Sequence, residues 1–179
     1  MNLASRLASL ALGLAAWTAA AGTAAPFGNL PFSFEAGDST QFVARGRDAQ
    51  FIISPAGAQL TLRPTATGSA RSVQMQFVGA AAQAGIHGDG ELSGKINYLV
   101  GNNPAQWRSG VPTFARVRVS GIYPGINLVY YGNQQQVEYD FNLDAGVSPD
   151  AIAIRFSGAS PVSVDEQGVS VLTLGRAEI

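Results

Sequence analysis

Alternation at a period of two constrains this chain most, and it is clearest in one central block. Ile126, Leu128 and Tyr130 fall on one side, and Asn127, Val129 and Tyr131 on the other. Beyond Gly132-Asn133, Val137, Tyr139, Phe141 and Leu143 alternate with Glu138, Asp140 and Asn142. Successive side chains of a strand point to opposite faces, so each run buries one face and wets the other. Tyr123-Pro124-Gly125 turns the chain in front of the block, with Pro fixing φ at one corner and Gly free to take a positive φ at the next. A two-residue Gly132-Asn133 loop opposes Leu128 with Val137, Asn127 with Glu138 and Ile126 with Tyr139. A three-residue loop would oppose Leu128 with Glu138 and bury a carboxylate, which costs several kcal/mol. Even loop lengths are therefore selected, and two and four residues keep the same facing.

The same alternation recurs along the chain. Leu60 and Leu62, then Val73, Met75 and Phe77, then Val117 and Val119, then Ile152, Ile154 and Phe156 each alternate with polar or small residues. Pro55-Ala56-Gly57 separates Phe51-Ile52-Ile53 from Ala58-Gln59-Leu60. A four-residue Asp165–Gly168 loop pairs Val164 with Val169 and Val162 with Val171, which puts four valines on one face. Half-wetted strands joined by Gly/Pro turns predict an all-β, antiparallel fold, either a two-sheet β-sandwich or an open barrel. Helix is limited to single turns at Asn103-Pro104 and Ser148-Pro149, where an N-cap residue precedes proline. Gly79 to Gly94, rich in Gly and Ala, reads as the longest loop.

The N-terminus departs from this pattern. Met1 to Arg6 is basic, Leu7 to Ala21 is apolar, and Ala19-Ala20-Ala21 and Gly22-Thr23-Ala24 offer small residues for cleavage. This is a secretory signal pattern over residues 1–24, and the apolar run is shorter than the roughly 18–20 residues of a membrane span. Residues 25–179 then form one β-rich domain, and the chain is expected to be exported, with no membrane span after cleavage. There are no cysteines, so a hydrophobic core and not a disulfide framework must hold it. The formal net charge is −1, which gives no basic footprint for nucleic acid or for an anionic membrane. Arg45/Arg47 and Arg116/Arg118 read as solvated strand faces.

Candidate functional residues are few. The polar face of the central hairpin gathers Asn127, Tyr131, Glu138 and Asp140. Glu138 and Asp140, two positions apart on one strand, have Cβ atoms about 6–7 Å apart, close to the spacing of a glycoside-hydrolysis pair. Catalytic pairs usually flank a cleft from separate elements, and no catalytic residue is expected here; a solvated strand face explains these carboxylates. Trp107 stacks on a sugar ring if it is exposed, and otherwise plugs the loop that follows. His87 is the only histidine and lacks partners for an ordinary zinc site, so no metal or cofactor is expected; it reads as a surface-loop residue. Lys95 is placed to pair with Glu91 or with the polar face of the hairpin.

An ordered series of segments resembles one known family. It runs from Leu30-Pro31-Phe32-Ser33-Phe34-Glu35, through Leu92-Ser93-Gly94-Lys95-Ile96-Asn97-Tyr98-Leu99-Val100-Gly101-Asn102 and Trp107, to Tyr123-Pro124-Gly125-Ile126-Asn127 and Asp144-Ala145-Gly146-Val147-Ser148-Pro149. The family is similar to the domain of unknown function that precedes SBBP-type β-propeller repeats in exported bacterial proteins. The resemblance implies a structural or interaction module without catalytic activity, partnered by a downstream repeat domain or a cell-surface component. Its alternatives are a carbohydrate-binding module using exposed Trp107 or Tyr131, and a hydrolase using Glu138 and Asp140. Asn103 and Asn127 stand where similar proteins often carry Asp, which weakens any cation site there. The repeat region that usually follows in such proteins is absent from these 179 residues, and an edge or apolar patch is expected near Ile179.

Overall fold

The computed structural model describes residues 9–10, 32–37, 40–46, 49–63, 70–133, 136–158, 163–164 and 170–171. Most of the expected signal segment, and the chain end at Ile179, lie outside them. The strands are β1 (Ser9–Leu10), β2 (Phe34–Ala36), β3 (Phe42–Arg45), β4 (Ala49–Ser54), β5 (Gly57–Leu62), β6 (Arg71–Phe77), β7 (Gly85–Tyr98), β8 (Arg108–Tyr123), β9 (Ile126–Asn133), β10 (Gln136–Leu143), β11 (Ile154–Ser157), β12 (Ser163–Val164) and β13 (Ser170–Val171). Eleven of them form one antiparallel sheet in the order β1-β10-β9-β8-β2-β3-β4-β5-β6-β11, with β7 also on β8; β12 and β13 pair separately.

The sheet curls into a half-barrel. The all-β antiparallel expectation therefore holds, as one curled sheet of eleven described strands, and the two-sheet sandwich is not confirmed. The inner face carries Phe34, Ile53, Val117, Val119, Leu128 and Tyr130, all without solvent contact. Curling sets distant strands face to face. Phe51 of β4 meets Tyr130 of β9 edge-on at 6.1 Å, and Phe77 of β6 meets Phe141 of β10 at 5.8 Å. Such tilted and edge-on ring contacts add to the area that the rings bury.

Turn chemistry behaves as the residues dictate. Pro124 and Gly125, with Gly125 at φ 69°, link Tyr123 to its partner Ile126. Pro55-Ala56 closes Ser54 onto Gly57. The only helical segments among the described residues are single 3₁₀ turns, Pro104–Gln106 and Pro149–Ala151, capped by Asn103 and Ser148.

Four expectations are corrected. In the β9–β10 hairpin the facing holds but the register moves by four residues: Leu128 opposes Phe141, Tyr130 opposes Tyr139 and Tyr131 opposes Glu138. An even shift keeps every side chain on its own face, and this one pairs three aromatic rings with core partners. Second, Gly85 to Gly94 is not loop but the first part of β7. Its glycines meet packing demands: a Cβ on Gly88 would lie 2.3 Å from Cγ of Phe114, and Gly90 sits at φ 69°. Third, β12 and β13 pair Val164 with Ser170 and Ser163 with Val171, in place of the expected pairing of Val164 with Val169 and Val162 with Val171. Fourth, Ile152 ends the second 3₁₀ turn and does not belong to β11.

Candidate functional site

The outer face of β7 to β10 brings together most of the polar residues that the sequence singled out. In one row across the four strands stand Asp89, Arg116, Tyr131 and Glu138, each opposite the next. In the adjacent row stand His87, Arg118, Val129 and Asp140. Inner positions on these strands are apolar, so alternation forces the polar ones outward. Asp89 lies 3.5 Å from Nε of Arg116 and 3.5 Å from a terminal nitrogen of Arg118. These arginines are therefore ion-paired rather than simply solvated. His87 lies on a strand and not in a loop, and Lys95 pairs with Glu91.

Tyr131 is the chemically distinctive member. Burial, then hydrogen bonding to Glu138 and the negative charge of Asp140, push its phenol up to about 12. It therefore stays protonated as a donor between two carboxylates. Asp140 Oδ1 is shielded from solvent and has no hydrogen-bond partner among the described residues. Asn127 does not join this group, because its Oδ1 accepts the Gly121 N–H at 2.9 Å. That bond secures the irregularity between Val119 and Tyr123, where Gly121 sits at φ 64°. Asn103 Oδ1 likewise accepts the Ala105 N–H at 3.1 Å. Both asparagines thus satisfy backbone donors, a role that side-chain oxygens commonly take at turns and caps. Among the described residues no three His, Cys, Asp or Glu side chains group closely enough to hold a metal ion.

Trp107 stands apart from this face. It lies nine residues before Arg116, roughly 30 Å away along an extended strand. It belongs to the tip where β7 turns into β8, beyond the Tyr98–Arg108 pair. Every residue from Leu99 to Gly110 is exposed. Leu99 is 59%, Val100 74% and Trp107 38% exposed. The tip is nonetheless well tied. Trp107 Nε1 donates to Gly101 O at 3.2 Å, Gly110 N–H donates to Asn97 Oδ1 at 2.8 Å, and Trp107 N–H donates to Pro104 O at 3.1 Å. Trp107 thus closes its own loop and still shows part of its ring.

A fourth group was not visible in the sequence. Glu35 on β2 is only 6% exposed. It takes Arg45 Nε at 3.3 Å and accepts the Tyr98 hydroxyl, while Arg45 Nε also reaches that hydroxyl at 3.1 Å. Guanidinium groups of Arg45 and Arg108 lie 5.6 and 5.8 Å from the Tyr98 ring centre. Positions 35, 45, 98 and 108 share no motif. The one available signal is a carboxylate that follows the inward-facing Phe32 and Phe34.

The fold and these groups define an all-β half-barrel domain with a charged outer face and a projecting tip. Residues 32–178 match the model of DUF7948, a domain of unknown function, and the chain belongs to that family. No curated protein and no solved structure matches the chain. No helix among the described residues is long and apolar enough to cross a membrane.

Proposed function

We propose that this domain is a non-catalytic interaction module of an exported bacterial protein, set in front of a repeat array, and that it engages its partner through the β7–β8 tip. One observation carries the proposal. Of the four large apolar side chains exposed among the described residues, three sit on this one tip: Leu99, Val100 and Trp107. Isolated exposed apolar residues are ordinary, but a cluster on an internally bonded loop marks a contact surface. The apolar patch expected near Ile179 falls outside the described residues, and the patch observed here is on a loop that the sequence marked only by Trp107.

A photo-reactive residue at Val100, in cells that produce the protein, should form adducts that the same residue at exposed Gln59 does not. No adduct at either position would refute the proposal. Carbohydrate binding through Trp107 is a second reading, favoured by its partly exposed ring. It predicts a glycan-array signal that Trp107→Ala abolishes, and no signal from any glycan counts against it. Hydrolysis by Glu138 and Asp140 has the least support. Both acids occupy one strand on the outer, convex side of the curl, with Tyr131 between them, rather than opposite walls of a cleft.

A further inference from the structure

We propose that the β7–β8 tip docks on a phospholipid bilayer, with Leu99, Val100 and Trp107 entering the boundary between headgroups and acyl chains. This deepens the interaction reading and rests on it, since it names the partner of the same tip.

Three observations converge. The first is the apolar crown itself, in which Val100 at 74% is the most exposed large side chain. The second is the state of the Trp107 indole. Its N–H is already bonded to Gly101 O, so the ring can leave water without stranding a donor. A sugar site needs hydrogen-bonding side chains around a stacking ring, and the Leu99 and Val100 side chains beside Trp107 offer none. Lipid asks only for apolar surface. The third is charge. Of the cations on β7 and β8, Lys95 pairs with Glu91, and Arg116 and Arg118 pair with Asp89, which leaves Arg108 as the one that concerns the tip. Arg108 stands at the base of the tip, opposite Tyr98. Its guanidinium donates to the carbonyls of Ala36 and Gly37 at 3.2 Å, and no carboxylate among the described residues forms an ion pair with it. When the crown enters the acyl boundary, Arg108 stays at headgroup depth, where phosphates carry the complementary charge. An apolar end over a cationic base is the arrangement of interfacial membrane contacts.

The test uses the full chain carrying Trp17→Phe, which leaves Trp107 as the only tryptophan. It is mixed with vesicles of phosphatidylethanolamine and phosphatidylglycerol that contain bromine-labelled acyl chains. Trp107 emission should be quenched and shifted to the blue. Val100→Asp, a change at a side chain that makes no core contact, should weaken the quenching on the order of tenfold in lipid concentration. Arg108→Gln should weaken it less, and most strongly at low salt. Circular dichroism of each variant confirms an unchanged fold. Unquenched Trp107 on vesicles that carry the chain would overturn the proposal, because the chain is then held elsewhere. Equal quenching in Val100→Asp would overturn it too. A protein adduct at Val100 in cells, with no quenching on vesicles, leaves the interaction module standing and removes lipid as its partner.

Discussion

Tyr98→Phe tests how β7 is held to the first strands of the sheet. The substitution keeps the ring, and with it both guanidinium contacts, and deletes only the hydroxyl. That hydroxyl donates to the buried carboxylate of Glu35 and accepts from Arg45 Nε. A hydrogen bond to a charged group contributes about 1.5–3 kcal/mol. Here the lower half of that range applies, because Glu35 keeps Arg45 at 3.3 Å and Arg45 keeps Gln50 Oε1 at 3.1 Å. The expected loss is about 2 kcal/mol. At roughly 2–4 °C per kcal/mol for a domain of this size, the melting temperature falls by about 4–8 °C. Urea unfolding of wild type, Tyr98→Phe, Glu35→Gln and the double variant measures the coupling directly. The hydroxyl and the carboxylate should couple by about 1 kcal/mol or more. An unchanged midpoint for Tyr98→Phe, or the same loss in the Glu35→Gln background, refutes the clamp.

Four further outcomes follow from the geometry. Gly88→Ala drives a methyl into the Phe114 ring and should cost about 1–3 kcal/mol in urea unfolding. Asn127→Asp keeps the oxygen that accepts Gly121 N–H and should change stability by less than about 0.5 kcal/mol, whereas Asn127→Ala should cost about 1 kcal/mol. Neither change should alter calcium binding in calorimetry, because Asn127 acts on the backbone. Tyr130→Phe removes a buried hydroxyl with no hydrogen-bond partner among the described residues, and should leave thermal stability equal or raised by about 1 kcal/mol. Tyr131 and Tyr139 have phenols pushed up to about 12, first by burial. The unfolded phenol ionises near 10, so between about pH 10 and 12 the unfolded state has lost protons that the native state still holds, and stability falls as pH rises. Absorbance titration should show late-ionising tyrosines, one fewer in Tyr131→Phe.

The legible part of the fold was the part written in alternation. Leu60, Val73, Met75, Val117, Leu128 and Tyr139 all face inward because a strand leaves them no other way to leave water. Parity of the central hairpin followed from the cost of burying Glu138, but parity admits several registers, and the choice among them came from aromatic contacts made across the curl. β7 was missed because glycine signals either a turn or a close approach. Only the Phe114 ring, from another strand, decides which. The outer face was half legible: Tyr131, Glu138 and Asp140 were placed together, while Asp89, Arg116 and Arg118 arrive from strands whose pairing no local pattern reveals. The Glu35 cluster was illegible for the same reason: Glu35 and Arg45 lie on one strand pair and Tyr98 and Arg108 on another, and only the β2–β8 pairing brings the two together.

β8 divides the domain's folding history. Strands β3 to β6 form one chain of neighbours and β7 to β10 another, each built from contacts close in sequence. These two meanders join through β2, which pairs Phe34 with Phe114 and Glu35 with Thr113, and through β11 on β6. Both seams link residues far apart in the chain, so their closure carries the larger loop entropy and comes after the meanders. Glu35 and Tyr98 straddle the first seam. Their contact therefore forms late, and its loss should act on the rate of unfolding and leave the rate of folding nearly unchanged. A few hydrogen bonds at a narrow seam, and not the size of the core, then set how long the domain stays folded.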